Sequence, residues 1–431
     1  MLRLQKVYKL NVKALSNGII PGNVANNPEK TAIDKDYSSL KLTSNDCFDL
    51  GKQAYTNNNY RQTIFWMERA FQLANEEKFH FKESSPERLK VMILQYLSFA
   101  LYKEGFYHEA LERTYDVLSL DPMNELSLSN VQVYYNLATK NTLKKRDEEY
   151  ERENEETSVQ KSWNDKFTIA TYEALCRGEK LMPIKNRLKL KCFYLNTQKL
   201  EDSFYLLWKI RVEEANKYPQ IVRILDMITD EEIETLKGIS ENKLKRATVN
   251  QKELKKSIPS NYRISQSFFI QDYENAIVER LSKRVQGITG LTVETAEGLQ
   301  IGNYGLGGHY EPHFDHVSKN SGLFQSLGTG NRIATWMFYL SDVIAGGATV
   351  FPSVGATIWP KKGSAVFWYN LRSSGHGDDL TRHAGCPVLI GNKWVANKCL
   401  HEKDQHFRKP CHLKIKQFSK LENDYHHQTK N

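Results

Sequence analysis

Two periods of apolar residues divide the chain. From 46 to about 142 they return every three or four positions in paired blocks, as on amphipathic helices joined by short turns. The blocks predict helices over 48–55, 60–73, 88–104 and 107–120, the last closed by Asp121-Pro122. Further helices are predicted over 229–240, where Thr229 or Asp230 caps and Glu231 and Glu232 fill the first turn, and over 273–289. After Leu299 the period shortens to two. Strands are predicted over 299–304, 332–340, 356–359, 365–369, 382–389 and 393–400, punctuated by glycine pairs at 307–308 and 346–347. Many short strands with glycine turns imply a sandwich or barrel.

Leu50, Gly51, Ala54 and Tyr55, then Gly105, Ala110, Leu111 and Leu118, are placed as in tetratricopeptide helix pairs. The unit is longer than the usual ~34 residues because 75–86 is inserted. Such pairs stack into a concave surface. Tyr96, Phe99 and Tyr102 recur every three residues on one helix, and Tyr134 and Tyr135 follow on the next. Core packing explains such a stripe. So does a groove for a polyproline II ligand, because tyrosine keeps a polar tip that prefers a wet edge.

Composition fits an ordinary folded protein: 431 residues, 40% hydrophobic and 26% charged. No apolar run approaches a membrane span. The net charge of +9 comes from 60 basic against 51 acidic residues. No zinc finger, RNA-recognition signature or aromatic-laced basic stripe accompanies it, so a solvated basic surface is expected and no nucleic-acid partner. Residues 1–15 lack the apolar core of a secretory signal. None of the six cysteines forms Cys-x-x-Cys, which argues against a structural zinc site.

The chemistry gathers between His313 and Lys393. His313 and Asp315 are two apart, a spacing that on a strand puts both on one face. With His383 they make two imidazoles and one carboxylate. That set suits non-haem Fe(II), filling one face of an octahedron and leaving the rest open. Fe(II) with Asp315 keeps one positive charge, which a chelating 2-oxo acid cancels. If that acid is 2-oxoglutarate, a second carboxylate still needs a buried cation, since burying it unpaired costs several kcal/mol. Lys393, ten residues past His383, is the candidate. A strand-borne triad makes the double-stranded β-helix, or jelly roll, the natural choice of barrel.

The fold class expected is therefore α+β over several domains. Residues 1–43 are read as irregular and 44–142 as a tetratricopeptide-like domain. A connecting region spans 143–219 and includes a charge run over 144–156. The jelly roll with flanking helices spans 220–415, and 416–431 is a tail.

Residues from about 290 to 412 resemble the catalytic domain of the collagen prolyl 4-hydroxylase alpha subunit, and a weaker likeness extends upstream to about 45. The likeness is carried by Asn303-Tyr304-Gly305, by the run from Tyr310 to Asp315, and by the run from Gly328 to Trp336. It continues through Gly346-Gly347-Ala348-Thr349-Val350-Phe351-Pro352, Trp359-Pro360-Lys361-Lys362-Gly363 and Gly391-Asn392-Lys393-Trp394. The resemblance implies hydroxylation of peptidyl proline at C4 in collagen-like Gly-X-Y sequences, with 2-oxoglutarate converted to succinate and CO2. It implies Fe(II), 2-oxoglutarate, O2 and L-ascorbate as cofactors. His313, Asp315 and His383 become the metal ligands. Lys393, Tyr304 and Thr349 become co-substrate groups, and His401 a histidine near co-substrate and peptide.

Tyr310 and Arg332 match family residues at the target proline, although Arg332 could instead make a structural ion pair. The helical region matches the family's peptide-substrate-binding domain, which gives Tyr96, Tyr102 and Tyr134 a place against a proline-rich peptide. Disulfides Cys176–Cys192 and Cys386–Cys411, a protein disulfide isomerase partner and the endoplasmic reticulum lumen are implied in the same way. Cys399 stands where family members commonly carry tryptophan, which predicts a looser pocket wall and weaker or altered peptide binding. The family's N-terminal dimerisation segment and signal have no clear counterpart, so the sequence either begins downstream of its signal or is a variant product. A rival reading is a non-catalytic collagen-peptide-binding subunit or chaperone; another is a hydroxylase of lysine or another residue, which the aromatic groove disfavours.

Overall fold

The computed structural model of the protein describes residues 1–20, 37–38, 40–76, 86–144, 160–196, 208–251, 256–259, 262–317 and 328–411. The inserted segment 75–86 and the charge run 144–156 fall largely outside them, and the tail 416–431 wholly so. Contacts divide the chain into two compact units, 1–24 with 32–160, and 25–31 with 161–431.

The first unit is helical. Its elements are α1 (Leu2–Tyr8), α2 (Val12–Ser16), α3 (Ser44–Thr56), α4 (Tyr60–Glu76), α5 (Pro86–Lys103), α6 (Tyr107–Leu120) and α7 (Glu125–Lys144). A capping box starts α3: the Thr43 hydroxyl accepts from the Asp46 N–H while the Asp46 carboxylate accepts from the Thr43 N–H. Gly51 lets α3 and α4 close up, since a Cβ there would sit 2.9 Å from Met67 Cε.

Residues 1–43 are not wholly irregular. Leu4, Val7, Tyr8 and Leu15 on α1 and α2 are buried. Gln5 Oε1 accepts from Trp66 Nε1 at 2.8 Å, and Arg69 Nε donates to Ser16 Oγ at 2.6 Å. Helices of seven and five residues are too short for a periodic signal to stand out.

The second unit carries two large antiparallel sheets, besides two two-stranded pairs, Thr248–Gln251 with Lys256–Pro259 and Ala345–Gly346 with Val388–Ile390. In chain order the strands of the large sheets are β1 (Cys192–Tyr194), β2 (Arg211–Asn216), β3 (Ile221–Ile224), β4 (Lys245–Arg246), β5 (Arg263–Ile264), β6 (Gln266–Ile270) and β7 (Leu299–Tyr304). They continue as β8 (His309–His313), β9 (Arg332–Tyr339), β10 (Thr349–Phe351), β11 (Ala356–Ile358), β12 (Ala365–Tyr369), β13 (His383–Gly385) and β14 (Lys393–His401). The larger sheet has the order β1-β2-β3-β12-β9-β14-β7-β6-β4, and the smaller β11-β10-β13-β8-β5.

Alternation sorts the side chains of the larger sheet. Ala334, Trp336 and Phe338 on β9, Phe367 on β12 and Leu299 and Ile301 on β7 pack outward with the helices Asp230–Ser240 and Ala276–Thr289. Met337, Tyr339, Val366, Trp368 and Val395 pack the other way, with Phe351, Ala356 and Ile358 of the smaller sheet. This is the expected jelly-roll sandwich with flanking helices. The single strand expected over 382–389 is broken: Pro387 has no N–H, and Val388–Ile390 pairs with Ala345–Gly346 outside both sheets. Alternation misses β2 because it is largely polar, β5 because it has two residues, and β3 and β6 because their apolar residues are consecutive or few.

The disulfide expectation is corrected. Cys176, at the end of the helix Gln160–Cys176, is bonded to Cys386, with Cα atoms 5.5 Å apart. Both are buried, whereas Cys192 and Cys411 are exposed free thiols. A disulfide joins residues that are neighbours in space, and spacing along the chain does not report that. The bond closes a sequence separation of 210 residues, worth about 5 kcal/mol in the chain-entropy account.

Candidate active site

His313 ends β8 and pairs with His383, the first residue of β13. Asp315 lies two residues on, in a bend beyond the strand rather than on it. The register shifts between Tyr310 and His313, around Pro312, so Tyr310 stacks on the His313 ring at 3.5 Å. The ligand-capable atoms of His313, Asp315 and His383 all lie within 4.8 Å of one another. His313 Nε2 is 3.8 Å from Asp315 Oδ1, and His383 Nε2 is 3.6 Å from Asp315 Oδ2.

Hydrogen bonding fixes both rings for metal ligation. His313 Nδ1 faces the Glu311 carbonyl at 2.7 Å, and His383 Nδ1 faces the Thr381 carbonyl at 3.0 Å. A carbonyl only accepts, so each Nδ1 carries a proton, which leaves Nε2, on the Asp315 side, as the nitrogen to ligate a metal. Burial, with the neighbouring His383, pulls the His313 pKa down to about 3, which keeps the ring neutral. Burial pushes the Asp315 carboxyl up, but His383, His313, Arg332 and the Thr335 hydroxyl outweigh it and hold its pKa at about 2. Two imidazoles and one carboxylate fit a divalent first-row ion with open positions.

The same residues line a cavity of about 100 Å³ that also takes in Lys393, Tyr304, Thr349, Tyr310, Arg332 and Cys399. Lys393 is 3% exposed, and no described carboxylate pairs with it. Its Nζ donates to Thr349 Oγ1 at 3.3 Å and lies 5.6 Å from the ring centres of Tyr304 and Tyr339. Burial alone lowers its pKa to about 7. Tyr339 also donates to Thr349 Oγ1, at 2.8 Å. A buried cation awaiting an anion fits the far carboxylate of a dicarboxylic acid.

Arg332 faces the cavity because a bulge beside Ile333 turns it to the Thr335 side of β9. It forms a bidentate pair with Glu297, at 2.5 and 3.0 Å, and its Nη1 is 3.4 Å from the Asp315 carbonyl. The alternative of an ion pair is therefore realised, and it is realised at the cavity wall. His401 lies behind that wall and does not line the cavity. Its Nε2 is 3.1 Å from Glu297 Oε1 and its Nδ1 is 2.9 Å from the Gly330 carbonyl. Cys399 does line the cavity, and burial pushes its thiol up, so it is a neutral group.

In the helical unit the aromatic residues form a connected strip. Tyr55 touches Tyr96 and Phe99 edge to face at 4.9 and 5.5 Å, and Tyr102 stacks on Tyr134 at 5.0 Å. Tyr96 and Tyr102 are half-buried. Tyr134 is 2% exposed, and its hydroxyl has no acceptor among the described residues. Tyr135 points away into solvent.

The profile of the prolyl 4-hydroxylase peptide-substrate-binding domain matches residues 44–140, and that of the 2OG-Fe(II) oxygenase superfamily matches 299–401. Prolyl 4-hydroxylase subunit alpha-1 of Gallus gallus is 45% identical over 416 residues, covering 96% of this chain and 77% of that protein. The chain belongs to the prolyl 4-hydroxylase alpha-subunit family. The Homo sapiens alpha-1 subunit is 43% identical over 424 residues, covering 96% of this chain and 74% of its own. A solved viral collagen prolyl hydroxylase from Paramecium Bursaria Chlorella virus-1 is 23% identical, covering 42% of this chain and 95% of its own with a TM-score of 0.35.

As a prolyl 4-hydroxylase relative with a 2OG-Fe(II) oxygenase domain, the chain is expected to use Fe(II) and 2-oxoglutarate, and the donor set and buried amine fit both. Sequence reasoning passed over Glu297, Thr335, Tyr339, Trp368 and Asn370. The glutamate sits before a glycine in a polar stretch, and the others read as ordinary sheet residues.

Proposed function

We propose that the protein is a procollagen-proline 4-dioxygenase, which hydroxylates peptidyl proline at C4 in collagen-like Gly-X-Y sequences. The observation that carries this is the convergence of His313, Asp315, His383 and the unpaired Lys393 ammonium on one cavity. When bound, Fe(II) and 2-oxoglutarate supply the oxidising chemistry, with O2 consumed, succinate and CO2 released, and L-ascorbate restoring the ferrous state.

The chain's own residues bind and orient. His313, Asp315 and His383 hold the metal on one face. Lys393 neutralises the distal carboxylate of the co-substrate, and the Thr349 and Tyr304 hydroxyls add hydrogen bonds there. Tyr310 and Arg332 face the target proline, with His401 behind Arg332 through Glu297. Apolar walls, among them Met337, Trp368 and Val395, keep water from the reacting centre.

Tyr96 and Tyr102, which are half-buried, offer ring surface to the peptide, and Tyr134, buried beneath, supports it through its stack with Tyr102. We assign a protein disulfide isomerase partner and the endoplasmic reticulum lumen on the same family grounds. No helix among the described residues is long and apolar enough to cross a membrane.

The test is mass spectrometry of Pro-Pro-Gly repeats incubated with protein, Fe(II), 2-oxoglutarate and ascorbate. A gain of one oxygen on proline is expected. Peptide binding without oxygen gain would favour the non-catalytic reading.

A further inference from the structure

Asp315 Oδ2 accepts the Thr335 hydroxyl at 2.7 Å. Thr335 Oγ1 accepts in turn from Asn370 Nδ2 at 2.9 Å, and Asn370 Oδ1 accepts from Trp368 Nε1 at 2.8 Å. Thr335 and Trp368 are paired residues on β9 and β12, and Asn370 follows the end of β12. Exposure is 2% for Thr335, 0% for Asn370 and 1% for Trp368.

The direction of this chain is set at its far end. An indole N–H only donates, so the amide oxygen of Asn370 must face it. The amide NH2 then faces Thr335 and can only donate. Thr335 has one proton; the neutral Cys399 thiol beside it is a weak acceptor that can itself donate, so the proton goes to the Asp315 carboxylate. We propose that Trp368, Asn370 and Thr335 form a one-way hydrogen-bond relay that positions Asp315 to bind the metal through a single carboxylate oxygen. With Oδ2 engaged, Oδ1 is the oxygen free to ligate. The Trp368 ring also meets the His383 ring edge-on at 4.8 Å, so one side chain braces two ligands. The three are positioning residues. The inference rests on Asp315 being a metal ligand, as the proposed function has it.

Co(II) titration, without oxygen or co-substrate, reads the site through the visible absorption of the bound ion. T335V keeps the shape of the side chain and removes the proton. N370D, when ionised, offers only acceptors, so the Thr335 proton turns away from Asp315. Both are expected to weaken Co(II) binding ~10–100-fold, the usual cost of removing a partner of a metal ligand. T335S restores the hydroxyl and is expected to recover binding relative to T335V. W368F keeps a ring beside His383, removes the N–H, and shifts affinity in the same direction by less.

Wild-type affinity in T335V and N370D overturns the relay, and so does T335S binding as weakly as T335V. If circular dichroism shows T335V unfolded, N370D and W368F decide the matter by the same criterion. H313A separates the two levels. If it binds Co(II) as tightly as wild type, or if wild type does not bind, the ligand assignment fails and the relay with it. If H313A loses binding while T335V and N370D keep it, the relay alone fails.

Discussion

In the helical unit, Tyr55, Tyr60, Tyr96, Phe99 and Tyr102 are half-buried and touch one another through ring edges and faces. In the sheet unit, Lys393, Thr349, His383, Thr335 and Asn370 are nearly sealed from water, and each sits in a specific hydrogen bond. Aromatic surface contributes in small increments, about 0.5–1.5 kcal/mol per ring pair, and tolerates loss. Buried polar groups behave otherwise: removing one partner strands the other at full desolvation cost. Substitutions should therefore act steeply in the cavity and gradually along the aromatic strip.

The largest effect is expected from H313A, which should abolish succinate production; retained turnover refutes the ligand assignment. Next comes K393A. Losing one member of a buried charge pair costs about 2–5 kcal/mol, so KM for 2-oxoglutarate should rise ~30- to 5,000-fold. A rise of only two- or three-fold would mean that another cation holds the carboxylate.

The Lys393 pKa of about 7 gives a pH signature with a definite sign. The amine is charged below that value and neutral above it. Hence kcat/KM for 2-oxoglutarate should fall as pH rises above about 7, and a flat profile would remove Lys393 from that role.

Along the strip, Y102A should raise KM for a Pro-Pro-Gly peptide ~2- to 10-fold while leaving KM for 2-oxoglutarate unchanged. A loss as steep as that of K393A would erase the contrast between the two units. The smallest effect tests Cys399. C399W refills the cavity wall and should lower the peptide KM by ~2- to 5-fold through added aromatic contact. No change would count against the loosened-wall reading.

How much was legible follows from how local each signal is. The helix pairs and the strands β7, β9, β12 and β14 announce themselves by period, and observed bounds differ from predicted ones by a residue or two at most strands. The gathering of His313, Asp315, His383 and Lys393 was readable because two short spacings bring in all four residues. Features set by the third dimension were not. Cys386 meets Cys176 and not Cys411. Arg332 reaches the cavity only because of a bulge at Ile333. Trp368 and Asn370 look like sheet filling until the hydrogen bonds from Trp368 to Asn370 and from Asn370 to Thr335 are seen.

Thr349 lines the cavity beside Lys393 with its oxygen already receiving protons from Tyr339 and Lys393. Its own proton is what it has left to give. In the proposed site, Lys393 and Thr349 are therefore left with protons to give and no lone pair to receive one. A guest ending in a carboxylate meets partners on every side, whereas 2-oxoglutaramate, which ends in an amide, would bring N–H groups against N–H and O–H groups. The site would turn it away despite its nearly identical shape.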